Sequence, residues 1–143
     1  MVVDWQGYME GAGAGVQALV PAVARGLAGV VIDGSWRDVS DVKVLGVPIV
    51  GRGISPFSPS KAELGEINVP VCCGGVIVEP GDIVVGDAEG TVVVPRRCAE
   101  VVARAVAPFV RRSALGDYTE DVLAPARELG EAYHWAVRGQ CRQ

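Results

Sequence analysis

A single histidine, His134, occurs in the 143 residues, and no two cysteines have C-x-x-C spacing: Cys72 and Cys73 are adjacent, while Cys98 and Cys141 stand far off. A His-based metal site or a Ser-His-Asp triad therefore has one candidate, on an expected amphipathic helix with no companion motif, and His134 reads as a surface or packing residue. The four cysteines read as small buried apolar groups. Long apolar runs are also missing. Half the residues are hydrophobic, yet no run approaches the roughly 20 needed to span a bilayer. Positive charge is scarce: 13 Lys and Arg stand against 17 Asp and Glu, a net charge of -4, which argues against a nucleic-acid partner because binding phosphates requires a cationic face. Met1-Val2-Val3-Asp4-Trp5 has neither a basic leader nor a long apolar segment, so it does not read as a signal peptide and a cytoplasmic location is the default.

What is present is organised around residues 29–41. Ala28 to Ile32 is a continuous, valine-rich run, the pattern of a central strand covered on both faces. Gly34 then marks a tight turn, and Arg37-Asp38 opens a short helix running to Leu45, with Asp38 as its cap. In an open α/β sheet, ligands collect beyond the carboxyl ends of the strands, so a polar pair just past Ile32 is the expected place for chemistry.

Ahead of that strand, Gly7, Gly11, Gly13 and Gly15 form a flexible run before a helix from about Val16 to Arg25, with Pro21 in its first turn or at a kink and Gly26 as its C-cap. A glycine-rich loop entering a helix can present backbone N–H groups to a carboxylate or phosphate. These glycines, however, match neither a P-loop nor a dinucleotide fingerprint. Pro48 to Val50 is a further strand, and Gly51-Arg52-Gly53 with Pro56 and Pro59 reads as an irregular surface loop. From Glu66 to Pro95 come short β pieces at 67–71, 76–78, 83–85 and 91–94, mostly antiparallel. Pro80-Gly81 suits a type II turn and Asp87 to Gly90 a hairpin loop with Gly90 left-handed. A helix follows over Arg97 to Arg112. A second has Asp117 and Glu120 as a capping pair and Val122, Ala126, Leu129, Tyr133 and Val137 on one face.

The motifs Gly29-Val30-Val31-Ile32-Asp33-Gly34-Ser35-Trp36-Arg37-Asp38, Arg52-Gly53-Ile54-Ser55-Pro56, Gly65-Glu66-Ile67-Asn68-Val69-Pro70-Val71, Cys73-Gly74-Gly75-Val76, Pro80-Gly81-Asp82-Ile83-Val84-Val85 and Val92-Val93-Val94-Pro95-Arg96 occur in this order. Together they resemble the RraA-like superfamily, over about residues 2 to 110. That superfamily includes metal-dependent class II pyruvate aldolases acting on hydroxymethylglutarate and carboxy-hydroxy-oxoadipate, and also a non-catalytic inhibitor of ribonuclease E. The resemblance implies an α/β fold of the swivelling β/β/α type, with a compact mixed β core and flanking helices. It places an RraA-like core over residues 1–112, leaving 113–143 as a C-terminal helical extension.

By the same resemblance, Arg37 contacts the pyruvyl oxygens and stabilises an enolate, Asp38 ligates a divalent metal, magnesium or manganese, and Asp41 occupies a position the family keeps acidic. Backbone amides around Gly15, Gln17 and Ala18 receive the substrate carboxylate. The residue types suit these roles, since arginine offers a fixed charged fork and hard cations prefer carboxylate oxygen. Without the family match, Arg37 and Asp38 read as an ion pair plus a helix cap.

Two departures qualify what the resemblance implies. Val16 stands where the aldolases carry an acidic residue that reaches the metal through water, so the site has one carboxylate fewer. Family members also carry an N-terminal segment ahead of the point where this chain starts, leaving a fragment, a naturally shortened member, or a second polypeptide that completes it. The expected assembly is a trimer or a dimer of trimers, with a neighbouring subunit adding an acidic residue, for which Glu120, Asp121, Glu128 and Glu131 are candidates. Three functions follow as expectations: a metal-dependent carbon–carbon lyase acting on a small keto acid, a non-catalytic protein-binding regulator, or a metal-free enzyme of a specialised pathway using Arg37 as an anion anchor.

Overall fold

The computed structural model describes residues 1–59 and 65–113. Two compact units divide the chain, Met1–Pro80 and a second that begins at Gly81. The terminal helix expected beyond Asp117, together with His134 and the acidic candidates Glu120, Asp121, Glu128 and Glu131, lies outside the described residues. No helix among the described residues is long and apolar enough to cross a membrane.

The first unit is α/β, as expected. Strands β1 (Val2–Val3), β2 (Val30–Trp36) and β3 (Ile49–Ile54) form a parallel sheet in the order β1-β2-β3, with α1 (Val16–Val23) and α2 (Val39–Leu45) in the two connections. Parallel neighbours require a crossover, and a helix with one apolar stripe supplies it while covering the sheet. Leu19 of α1, Val30 of β2, Val42 of α2 and Val47 make one buried cluster, with Val3, Val16, Trp36 and Ile49 packed on it. Each fully buried aliphatic side chain contributes about 1.5–3 kcal/mol. Gly26, at φ 90°, closes α1: its amide donates to the Val23 carbonyl at 2.9 Å and the Leu27 amide to the Ala22 carbonyl at 3.1 Å, the paired bonds of a Schellman end.

Two local expectations are corrected. Gly34 does not turn the chain; β2 continues to Trp36. Nor is Gly51-Arg52-Gly53 a loop, for it belongs to β3. The pairing explains both. Ile32 lies opposite Gly51, then Ser35 opposite Gly53 and Trp36 opposite Ile54, so Asp33 and Gly34 together face Arg52. This is a bulge, which keeps two strands paired across an extra residue. Gly51 suits the crowded strand because a Cβ there would come within 2.8 Å of Ile32 Cγ2 and 3.0 Å of Trp36 Cδ1.

Strands β4 (Val71–Cys73) and β5 (Val76–Val78) form an antiparallel hairpin through Gly74 and Gly75, both at positive φ as a type I′ turn demands. The β structure begins at Val71 rather than at Ile67, which is 92% exposed. Cys73 and Cys98 are thiols, as expected, whereas Cys72 is disulfide-bonded; residue spacing along the chain does not report which sulfurs meet in space.

In the second unit, β6 (Ile83–Gly86) and β7 (Thr91–Val94) pair antiparallel, and Gly81 at φ 94° fits the expected type II turn. Gly90 is not left-handed. The Asp87 carboxylate closes that loop instead, accepting the amides of Glu89 at 2.8 Å and Gly90 at 3.1 Å. A short 3-10 turn, Arg96–Cys98, then leads into α3 (Ala99–Ser113).

Candidate functional site

Three segments of the first unit meet beyond the carboxyl ends of β2 and β3: the Arg37-Asp38 pair after Trp36, residues 55–59 after Ile54, and the glycine-containing stretch that enters α1. That stretch, expected to be flexible, is tied down. The Gly13 amide donates to the Ser35 carbonyl at 2.9 Å, the Ala12 amide to the Phe57 carbonyl at 2.9 Å, and the Arg37 amide to the Ala14 carbonyl at 3.0 Å. Trp5 Nε1 and Ser35 Oγ both donate to the Gly11 carbonyl, at 2.8 and 2.9 Å. With Ala12, Ala14 and Ser35 buried, the stretch has few alternatives to this path.

Asp38 adopts a left-handed backbone, φ 62° and ψ 44°, and makes no side-chain cap on its own helix α2. The expected cap is thus corrected: the carboxylate turns to α1, where Oδ2 accepts the Val16 amide at 2.9 Å. A non-glycine residue in this region is uncommon and concentrates where neighbouring structure holds it. Arg37 Nε stands 3.7 Å from the same oxygen, and Arg37 Nη1 donates to Ser58 Oγ at 2.8 Å. The guanidinium is held between a carboxylate and a hydroxyl, and the Arg37 side chain as a whole keeps about a quarter of its surface in contact with solvent. Gly15 makes the arrangement sterically feasible, since a Cβ there would come within 2.6 Å of Asp38 Oδ2 and 3.0 Å of both Cγ and Nε of Arg37.

The remaining expected residues separate. The Ala18 amide donates to the Gly15 carbonyl at 3.0 Å and is engaged within the helix turn, whereas the Gln17 amide has no acceptor among the described residues. Asp41 is exposed in the first turn of α2, with no ion pair to Arg37 among the described residues. Val16 packs against the core cluster and offers no ligand.

No group of three or more His, Cys, Asp or Glu side chains gathers among the described residues. One carboxylate, Asp38, faces the arginine. Magnesium characteristically keeps several waters and is held by one or two carboxylates plus substrate oxygens, so this donor set fits a cation shared with a substrate and does not fit an all-protein cage.

Sequence reasoning missed two features. Ser58 carries no spacing signal, and only the loop after β3 brings it to Arg37. The second is a polar cluster at the bulge. Asp33, 8% exposed, accepts from Arg52 Nε through Oδ1 and from the Gly74 amide at 3.0 Å through Oδ2. The Arg52 hydrogen bond draws the Asp33 carboxyl below its ordinary range, against the opposing effect of burial. Nearby, burial foremost and then the charges of Asp33 and Asp4 push the Cys73 thiol up to about 11. A lone acid inside an apolar strand was the available signal.

The chain is similar to proteins already known. A protein of Halalkalibacterium halodurans named "Putative 4-hydroxy-4-methyl-2-oxoglutarate aldolase" is 44% identical over 96 residues, 67% of this chain and 46% of the relative. Among solved structures, Streptomyces coelicolor RraAS2, described as an unusual member of the RNase ES inhibitor RraA protein family, superposes with a TM-score of 0.72 at 35% identity, covering 80% of this chain and 59% of that one. The RNA-processing inhibitor RraA from Thermus thermophilis gives 0.61 at 30% identity, covering 66% and 57%. The chain spans about half the length of the curated relatives it matches. With residues 1–93 matching the family model described as Aldolase/RraA, the chain belongs to the RraA-like family.

Proposed function

We propose that this chain carries a keto-acid lyase site of the pyruvate aldolase or oxaloacetate decarboxylase type, with Arg37 as the anion anchor and Asp38 as the metal ligand. The observation that carries the reading is the Arg37 guanidinium, held by Ser58 and adjoining Asp38 at the carboxyl end of the central parallel strand. The aldolase name of the Halalkalibacterium relative supports the same class. Arg37 receives the carboxylate and carbonyl oxygens of a 2-keto acid. When the bond between C3 and C4 breaks, its electron pair moves into the pyruvate enolate, and a permanent positive charge beside the enolate oxygen stabilises the charge as it develops. In a retro-aldol cleavage the C4 hydroxyl loses its proton; in decarboxylation carbon dioxide leaves. In both cases the enolate takes a proton at C3 to give pyruvate. A divalent cation, magnesium or manganese, would be held by Asp38 with water and substrate, and supplies Lewis-acid polarisation when bound.

On this reading the chain acts as a homotrimer or homohexamer in the cytoplasm. A neighbouring subunit adds a further acidic residue to the site. Pyruvate release from oxaloacetate, with magnesium, with manganese and with chelator, tests it. Metal-dependent release that falls about 100-fold or more in Arg37→Ala is expected, the magnitude typical of removing a charge-stabilising donor. Release no greater than that of free metal would overturn it. A non-catalytic, protein-binding role is the second reading, favoured by Val16 in place of an acid and by the inhibitor titles of the structural relatives. A stoichiometric partner recovered from native extract, with no turnover, would favour that role.

A further inference from the structure

The loop after β3 runs Ser55-Pro56-Phe57-Ser58-Pro59, and it is fixed on both sides of Ser58 by contacts that do not involve Arg37. Ser55 is 4% exposed; its amide donates to the Trp36 carbonyl at 3.0 Å and its hydroxyl to the Glu10 carbonyl at 2.7 Å. The Phe57 carbonyl accepts the amide of Ala12, itself buried, at 2.9 Å. Pro59 lies over Gly11, where an added Cβ would come within 3.5 Å of the proline Cα. Two prolines narrow the backbone further, because each fixes its own φ and pushes the residue before it, Ser55 or Ser58, toward extended conformations. The Ser58 side chain is therefore exposed to solvent yet carried on a backbone with few alternatives.

Arg37 is in the opposite situation. Its side chain rotates about several bonds, and a full negative charge, the Asp38 carboxylate, stands beside it. The separation of 3.7 Å between Arg37 Nε and Asp38 Oδ2 exceeds the roughly 2.7–2.9 Å of a charge-assisted hydrogen bond. Attraction draws the two groups together, and closing the gap would turn guanidinium donors onto the oxygen that accepts the Val16 amide at 2.9 Å. Opposing this collapse is the 2.8 Å bond from Arg37 Nη1 to Ser58 Oγ. A hydroxyl suits that task, since it is neutral and takes one N–H of the guanidinium without cancelling its charge.

We infer that Ser58 is a positioning residue of this site: its hydroxyl holds the Arg37 guanidinium off Asp38, so that the arginine keeps its charge for a substrate anion and the carboxylate keeps its oxygens for Val16 and a cation. The anion and cation roles rest on the keto-acid reading above; the hold on Arg37 does not. Ser58→Ala removes the acceptor and Ser58→Thr keeps it, and the position is exposed, so neither change opens a cavity in the core. Two measurements on the whole chain read the effect. The first needs no ligand: the Arg37 Nε–Hε magnetic resonance signal of isotope-labelled protein, identified by its absence in Arg37→Lys, is expected to move in Ser58→Ala and to return to the parent position in Ser58→Thr. The second is calorimetric titration with pyruvate in the presence of magnesium. Ser58→Ala should weaken binding about three- to tenfold at an unchanged unfolding midpoint, the cost of immobilising one freed side chain, and Ser58→Thr should restore it. A serine with only a structural role would instead lower the unfolding midpoint and leave signal and affinity where they were. A signal unmoved in Ser58→Ala, an affinity unmoved where pyruvate binds, or changes that Ser58→Thr reproduces rather than repairs would overturn the inference. Absence of pyruvate binding by the parent chain would count against the keto-acid reading, and the Arg37 signal then decides on Ser58 by itself.

Discussion

The Asp38 carboxylate accepts the amide hydrogen of Val16 at 2.9 Å, tying the residue two past the end of β2 to the first turn of α1 across 22 positions of sequence. The carboxylate thereby satisfies one of the unpaired donors at a helix start and lies against the positive end of its dipole. It also stands where an incoming anion would otherwise meet the helix start, so on the proposed lyase reading anion recognition falls to Arg37, 3.7 Å away, and to the amide of Gln17.

Replacing Asp38 separates its two demands. Asparagine keeps an oxygen that can accept from Val16 and tolerates the left-handed backbone, whereas alanine loses the acceptor and fits the φ of 62° poorly. Asp38→Ala is expected to lower unfolding free energy by about 2 kcal/mol, combining a lost cap with backbone strain, and Asp38→Asn by about half of that or less. Urea midpoints of the two variants against the parent check the order. Equal losses would mean that neither the bond to Val16 nor the backbone conformation matters.

Gly15 is predicted to be intolerant for steric reasons alone. Its φ of -157° is open to any residue, but a methyl there would press on Asp38 Oδ2 and on the Arg37 side chain. Gly15→Ala should cost about 1–3 kcal/mol of stability, the range for overpacking, and weaken pyruvate binding about tenfold or more through displacement of Arg37. Gly90→Ala is the control, because nothing lies near its added carbon and its φ is not positive. Thermal unfolding and calorimetric titration of both variants decide the matter.

The Asp33–Arg52 pair predicts an acid limb in the stability curve. Because Arg52 holds the folded-state Asp33 carboxyl below its ordinary range, the unfolded chain takes up the proton first as pH falls. The stabilisation is complete above pH about 4 and disappears as the pH drops through the lower, folded-state value. Denaturation midpoints between pH 7 and pH 2 should therefore fall less steeply in Asp33→Asn than in the parent, from a lower starting point at pH 7. Parallel limbs would show that the carboxyl at the bulge does not set acid stability.

Local chemistry made much of the fold legible. The valine run from Ala28 announced a buried strand, glycine at residue 26 ended α1, and Pro80-Gly81 gave its turn, because each of these depends on intrinsic backbone preference or on burial of a single segment. The Arg37-Asp38 pair was visible for a related reason: adjacent charges just past an apolar strand fall at its carboxyl end whatever the strand pairs with.

What tertiary structure decided were the features that need two segments at once. A bulge lets β2 run to Trp36 and makes residues 51–53 strand, since pairing of β2 with β3 outweighs the turn preference of glycine. The Asp38 carboxylate serves α1 rather than α2, Ser58 reaches Arg37, and Asp33 meets Arg52 and Gly74, through contacts spanning 19 to 41 positions. Sequence by itself determined which elements form and where charge follows a strand. The partners of those charges came from the packing of the sheet and its loops, because hydrogen bonds and ion pairs act over a few ångströms in space and are blind to separation along the chain.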